Sequence, residues 1–285
     1  MHWIDKKWPL SVHQSKRRPP KSCGKTFISC RSCQSQVDQD EFHAAHKVCP
    51  VCGFHHVMTG YERLALLTSS ADGELLGESL SASDYLNFSD TVSYQERLLA
   101  ARKKSAMTES VLSVVSAIDR VPCVLSIFDF NFIGGSLGEV AGSRIAIAIQ
   151  TAIERQLPFV CVTASGGARM QEGVLSLFQM AKMSAAVHLL RQTRLPFFNL
   201  LTHPTFGGVT ASIAMQGDII IAEQGAHIGF TGARVIANAT QEKLPDGFQT
   251  AEFLKAHGAI DDVVSRDKLV SYIGRNLRKA LANRS

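Results

Sequence analysis

Between Val121 and Gln216 the sequence repeats one pattern three times: an apolar run, a pair of glycines, then helical spacing. Val121 to Phe130 leads to Gly134-Gly135 and a helical stretch from about Val140 to Gln156. Leu157 to Thr163 leads to Gly166-Gly167 and a helix to about Thr193. Leu195 to Leu201 leads to Gly207-Gly208 and a shorter helix to about Gln216. Strand–helix–strand crossovers are right-handed, and three in succession wind into a stacked β–α superhelix. The chain is therefore expected to be α/β, with the glycine turns lining one edge of the sheet. Small residues in these helices (Ala141, Gly142, Ala146, Ala148; Ala181, Ser184, Ala185, Ala186) permit a close-packed helical layer.

Adjacent glycines let the backbone reach φ > 0 and let a ligand approach main-chain N–H groups. A helix starting just after Gly166-Gly167 is expected to aim free N–H groups and its positive dipole end at a negatively charged oxygen. Three chemistries compete for such a turn. Serine hydrolysis would use Ser165 with His188 and Asp218, but Thr-Ala-Ser-Gly-Gly lacks the leading glycine of the G-x-S-x-G elbow. His188 reads instead as a core residue of an apolar helix. Nucleotide binding would need G-x-x-x-x-G-K-[ST] or G-x-G-x-x-G, and Gly134 to Gly138 (Gly-Gly-Ser-Leu-Gly) is only superficially similar. Stabilisation of a thioester enolate by paired N–H groups at helix starts fits best, and it requires no conspicuous general base.

The N-terminal third is organised differently. Cys30-Arg-Ser-Cys33 and Cys49-Pro-Val-Cys52 are separated by fifteen residues, the arrangement of a Cys₄ zinc ribbon over residues 27–56. Four thiolates leave no open coordination position, so Zn²⁺ bound there is expected to be structural. His43, His46, His55 and His56 then read as surface residues. Residues 1–26 carry seven lysines and arginines against Asp5 and read as a basic, disordered arm. Arm and ribbon together also suit nucleic acid, a second reading in which the ribbon is a binding module rather than a cap on the pocket. No apolar stretch reaches the ~18 residues of a membrane span, and the basic N-terminus lacks a signal-peptide core. With seven cysteines in this spacing, the expectation is a reducing, cytoplasmic compartment.

Elsewhere, Tyr61 to Leu67 and Tyr94 to Lys104 have helical spacing, the second with Tyr94, Leu98 and Leu99 as its apolar face. Val111 to Ile118 and Val121 to Phe130 form a hairpin across Asp119-Arg120. Ile219 to Ala222, Ala226 to Phe230 and Asp262 to Ser265 are short strands, and Gly232 to Thr240 and Thr250 to His257 are helices. A closing helix from Arg266 to Asn283 carries the stripe Leu269, Ile273, Leu277 and Leu281.

A resemblance is carried by the two Cys-x-x-Cys pairs, Phe128 to Ser136 (Phe-Asp-Phe-Asn-Phe-Ile-Gly-Gly-Ser), Ala164 to Glu172, Pro204 to Val209 and Glu242 to Gln249. From about Cys30 to Val264 the sequence resembles the β subunits of bacterial and plastid acetyl-coenzyme A carboxylase carboxyltransferases. The resemblance implies a crotonase-like domain over residues 57–285 behind the zinc ribbon. It implies transfer of a carboxyl group from carboxybiotin, carried by the biotin carboxyl carrier protein and charged by biotin carboxylase, to acetyl-coenzyme A. An α subunit of the same fold supplies the biotin side in an α₂β₂ heterotetramer. In the mechanism the resemblance implies, carboxybiotin releases CO₂, the biotin anion takes the α-proton, and the enolate attacks CO₂. Carried over by position, the oxyanion hole falls on Gly207 and Gly208, the pocket wall on Gly166 and Gly167, and the zinc ligands on Cys30, Cys33, Cys49 and Cys52. Four positions depart from the family pattern: Phe206 stands for a methionine, His203 for an aspartate, Glu139 for a serine and Ala233 for a proline or arginine. Phe206, beside the oxyanion hole, suggests a specialised, inhibitor-insensitive paralogue.

Overall fold

The structure, a computed structural model, describes residues 26–68 and 73–283. All but the last residue of the basic arm, and Cys23 with it, lie outside the described residues. Seven strands make the main sheet, and each lies beside its neighbours in sequence: β3 (Glu74–Leu75), β4 (Val111–Ile118), β5 (Val121–Phe128), β6 (Phe159–Ser165), β7 (Phe197–Thr205), β8 (Ile219–Glu223) and β9 (Asp262–Val264). The pairings of β3 with β4 and of β4 with β5 are antiparallel, and every pairing from β5 to β9 is parallel. That is the winding expected of the repeated unit. Asp119 and Arg120 both take φ > 0, so the β4–β5 turn matches the twist of its strands, as two-residue hairpin turns require.

Both faces of the parallel part are covered, which explains why its strands read as unbroken apolar runs. On β6, Phe159 and Cys161 face one core while Val160 and Val162 face the other. The first core is capped by α4 (Glu139–Arg155) and α5 (Val174–Gln192) through Ile145, Ala148, Ile149, Met183 and Val187. These two helices touch closely: a Cβ at Gly142 would lie 2.6 Å from the Gln179 side-chain oxygen. The small residues of α5 do not all serve this contact. Ala181 and Ala185 are exposed, because the buried positions are Ser176, Gln179, Met183, Val187 and Leu190.

The second core is closed by α2 (Gly60–Leu67), α3 (Tyr94–Ser105) and α9 (Leu269–Ala282). Leu269, Ile273 and Leu277 are fully buried in it, and Leu281 is partly so. Tyr94 and Leu98 enter the same core, but Leu99 points to solvent, one position off the helical stripe. The expected strand at Ala226 to Phe230 is reduced to two isolated bridges, Ile228 with Thr205 and His227 with Thr250. Helices α6 (Gly207–Thr210), α7 (Ala233–Thr240) and α8 (Ala251–Ala256) complete this half. A small lobe precedes the sheet: β1 (Phe27–Ser29) pairs antiparallel with β2 (Gln36–Asp38), α1 (Gln39–Ala44) follows, and Cys30, Val37, Phe42 and Cys49 form its own core.

Candidate active site and metal centre

The three glycine turns come together backbone to backbone. The Gly166 N–H donates to the Gly134 carbonyl (2.8 Å), the Leu137 N–H to the Gly167 carbonyl (2.8 Å) and the Phe206 N–H to the Ser165 carbonyl (2.8 Å). Gly207 has φ of 61°, and a Cβ there would lie 3.0 Å from Gly167 Cα and 3.2 Å from the Gly166 carbonyl oxygen. Only glycine meets both conditions. The sequence pattern thus finds one wall, built of main chain.

The N–H groups on that wall are not equivalent. At the first turn, the start of α4 is already filled: the Glu172 carboxylate accepts from the Glu139 N–H at 2.5 Å. Its negative charge answers the dipole there. At the second turn no helix begins where the sequence suggested one. A 3-10 turn (Met170–Glu172) intervenes, and α5 starts only at Val174 after Gly173. Arg169 and Glu172 are drawn inward, and Gly173, at φ 54° and ψ −135°, breaks the helical path before Val174. At the third turn α6 does begin on the glycine pair. The Gly207 N–H donates to the Phe230 carbonyl (3.0 Å), extending the bridge between Thr205 and Ile228. The Gly208 N–H, in the first turn of α6, has no acceptor within its own helix.

Ser165 is fully buried, and its Oγ accepts from the Gly167 N–H (3.0 Å). His188 is not a core residue; it is exposed on α5 and bonds Gln192 (3.0 Å). Asp218 accepts from the Phe197 N–H (2.8 Å). Each has a local structural role, and no hydrolase triad forms from them.

Behind the wall lies a charged cluster that pattern reading missed. Arg169, Glu109 and Tyr94 are fully buried and Glu172 nearly so. The guanidinium bonds both oxygens of Glu109, Glu172 Oε1 (3.2 Å), the Tyr94 hydroxyl (3.1 Å), and the Oγ and carbonyl of Ser136 (3.0 and 2.9 Å). Burial pushes the Glu109 carboxyl up, but the adjacent Arg169 outweighs it and holds the group below its usual range. Burial, with the bond to Glu172, raises the Tyr94 phenol, so it stays a neutral donor. The available signal was the pair Arg169 and Glu172, three residues apart, close behind a glycine pair.

The four positions that the resemblance marks as unusual scatter. Phe206 is half-buried and immediately precedes α6, so it adjoins Gly207. Glu139 opens α4 and Ala233 opens α7. His203, near the end of β7, accepts from the His227 N–H (3.3 Å). It lines a cleft of about 320 Å³ between the small lobe and the sheet, together with His55, Phe54 and Glu223.

In the small lobe Cys30, Cys33, Cys49 and Cys52 are free thiols whose sulfurs all lie within 4.8 Å of one another. Cys30–Cys52 and Cys33–Cys49 are each separated by 3.8 Å. Tetrahedral Zn–S bonds of ~2.3 Å put sulfurs about 3.8 Å apart, so the donor set fits zinc in size and chemistry. His43 and His46 are exposed as expected, but His55 and His56 are buried. His56 packs edge-on between Phe42 and Phe54, and His55 Nδ1 lies 3.6 Å from Glu223. His55 is enclosed where the lobe meets the sheet, and His56 within the lobe itself. Arg266 spans the junction, bonding Glu223 (2.8 and 2.6 Å) and the carbonyls of His46 (2.8 Å) and His56 (3.0 Å). Arg63 also pairs with Glu223, the lone acid at the end of β8.

Comparison with known proteins agrees with this geometry. The carboxyl transferase domain family matches residues 79–283. The acetyl-coenzyme A carboxylase carboxyl transferase subunit beta of Rubrobacter xylanophilus is 45% identical over 255 residues, covering 87% of this chain and 98% of that one. The subunit of the same name from a Synechococcus species is 42% identical, covering 97% and 94%. Among solved structures, the transcarboxylase 12S core superposes with a TM-score of 0.62 at 23% identity, over 84% of this chain and 42% of that one. A Pseudomonas malonate decarboxylase hetero-dimer gives 0.59 at 21%, over 78% and 86%.

Proposed function

The chain belongs to the carboxyl transferase family, among the acetyl-coenzyme A carboxylase β subunits, and on that footing we propose that its stacked glycine turns hold the enolate of acetyl-coenzyme A while a carboxyl group is added. The observation that carries this reading is the third turn, where α6 begins on Gly207-Gly208 against Gly167 in a wall of main chain. Loss of an α-proton puts negative charge on the thioester oxygen. N–H groups fixed in advance are stronger donors to that charge than reorienting water, and one such donor is worth ~3 kcal/mol in the transition state. Gly208 is the principal donor, because the Gly207 N–H is already engaged. Gly166 and Gly167 shape the adjoining part of the same wall.

The carboxyl group arrives as carboxybiotin on the biotin carboxyl carrier protein, charged by biotin carboxylase. An α subunit closes the biotin side, in an α₂β₂ assembly in the cytoplasm. Zn²⁺ on Cys30, Cys33, Cys49 and Cys52 is structural: it holds the ribbon (27–56), which covers one end of the catalytic domain (57–285). The test is co-expression with an α subunit and measurement of malonyl-coenzyme A formed from biotinylated carrier, with propionyl-coenzyme A run in parallel. Formation of the complex without carboxylation of either thioester would leave a degenerate paralogue as the better reading.

A further inference from the structure

We propose that Arg169 is the positioning residue of this pocket, locking the first and second glycine turns into one rigid unit; this rests on the reading of the turns as the enolate pocket. Arg169 stands two residues after Gly167. Its N–H donates to the Leu137 carbonyl (2.9 Å), while the Leu137 N–H donates to the Gly167 carbonyl (2.8 Å), so the two turns are laced at that point. The side chain then passes beneath the first turn and takes both the carbonyl and the hydroxyl of Ser136. Ser110 closes a triangle, its Oγ bonding the same Ser136 carbonyl (2.8 Å) and accepting from Arg169 (3.2 Å). Glu172 carries the link onward, from Arg169 to the Glu139 N–H at the start of α4. The residue immediately before α4 is Gly138, where a Cβ would lie 2.8 Å from the Arg169 guanidinium carbon and 2.6 Å from Glu172 Oε1.

This arrangement differs from a charge pair buried for stability, which apolar side chains of equal volume generally match. The planar guanidinium fixes three bonding directions at once, and it spends them on loop backbone as well as on carboxylates. A lysine keeps the charge but not the directions.

The test compares wild type with Arg169→Lys and with Tyr94→Phe, a milder variant that keeps the buried ring and removes one hydroxyl from the cluster. Hydrogen exchange of the full chain should be at least tenfold faster in segments 133–142 and 164–172 of Arg169→Lys, and unchanged in 27–56. In the assembled enzyme, kcat should fall about a hundredfold with KM for acetyl-coenzyme A nearly constant, since misplacement of about 1 Å costs that much. Tyr94→Phe should show a smaller change of the same pattern. Unaltered exchange in both segments of a folded Arg169→Lys overturns the proposal, as does a kcat within threefold of wild type. Wild-type chain that carboxylates nothing sinks the functional reading alone, and the exchange measurement still decides the role of Arg169.

Discussion

The Gly207 N–H donates to the Phe230 carbonyl at 3.0 Å, so half of the glycine pair expected to form an oxyanion hole is committed to holding the next segment of chain. Gly207 is needed for its conformation and its lack of a side chain, and under the proposed function the donor to the enolate is Gly208. The two neighbours do different work.

Substitution separates them. Gly207→Ala forces an L-residue to φ of 61° and drives a methyl group against Gly167 Cα. The left-handed conformation alone costs ~1–2 kcal/mol, and the backbone contact adds to it. Gly208→Ala meets chiefly the Met180 sulfur, at 3.1 Å, the movable part of a flexible side chain. Thermal melting should show a clear drop for Gly207→Ala and a change within ~1 kcal/mol for Gly208→Ala. Equal drops would show that the two glycines share one role.

The Cys₄ lobe should contain one zinc per chain, released by chelator or by mercurial titration. Cys49→Ser removes a buried ligand, and the lobe's own core around Phe42 should loosen with it. The parallel sheet has separate cores and should keep its unfolding transition. Metal content by atomic emission, read beside exchange in residues 27–56, checks this. A chain purified with full secondary structure in the lobe but no metal would contradict it.

Glu223 should set the acid limit of lobe docking. Burial pushes its carboxyl up, but Arg63, then Arg266, outweigh that and hold it well below the ordinary value. A depressed folded pKa contributes stability that is complete above the unfolded value, ~4.3, and is lost as pH falls towards the folded one. Wild-type stability should therefore rise with pH through the region below about pH 4. Glu223→Gln lacks this component and should give a shallower slope there; Glu109 contributes a share that remains. At pH 7, Glu223→Ala should cost ~3–5 kcal/mol, because it leaves two buried guanidinium groups without their counter-charge. Melting midpoints across the acid range measure both effects.

The parallel sheet and its three turns were legible because repetition and glycine pairing are local signals. What escaped was how charged residues fold inward. Arg169 and Glu172 look, in sequence, like the solvated first turn of a helix, yet both are buried and α5 starts only at Val174. Glu223 ends an apolar strand, and nothing near it in sequence announces Arg63 or Arg266, 160 and 43 residues away. His55 reads as a surface residue for the same reason, since Glu223 faces it from distant chain, whereas His56 is covered by Phe42 and Phe54 of its own lobe. Spacing reveals which face of an element is apolar. It does not reveal which charges have partners, and here the partnered charges shape the site.

Phe206 is the position where this chain should differ from its relatives in what it admits. It is half-buried, precedes α6 directly, and is fixed by its N–H bond to the Ser165 carbonyl. A phenyl ring there is rigid, whereas the methionine that the resemblance leads one to expect would bend around a guest. Phe206→Met roughly conserves volume, so its stability cost should stay below ~1.5 kcal/mol. Its effect should fall on recognition: inhibitors that occupy the β-subunit pocket should bind about tenfold tighter, a change of ~1.4 kcal/mol. The KM for acetyl-coenzyme A should move less, because the smaller acetyl group makes less use of the space. Inhibition curves for the assembled enzyme, wild type against Phe206→Met, measure the difference. Superimposable curves with identical kinetics would show that the aromatic ring at 206 packs against the protein rather than facing the pocket.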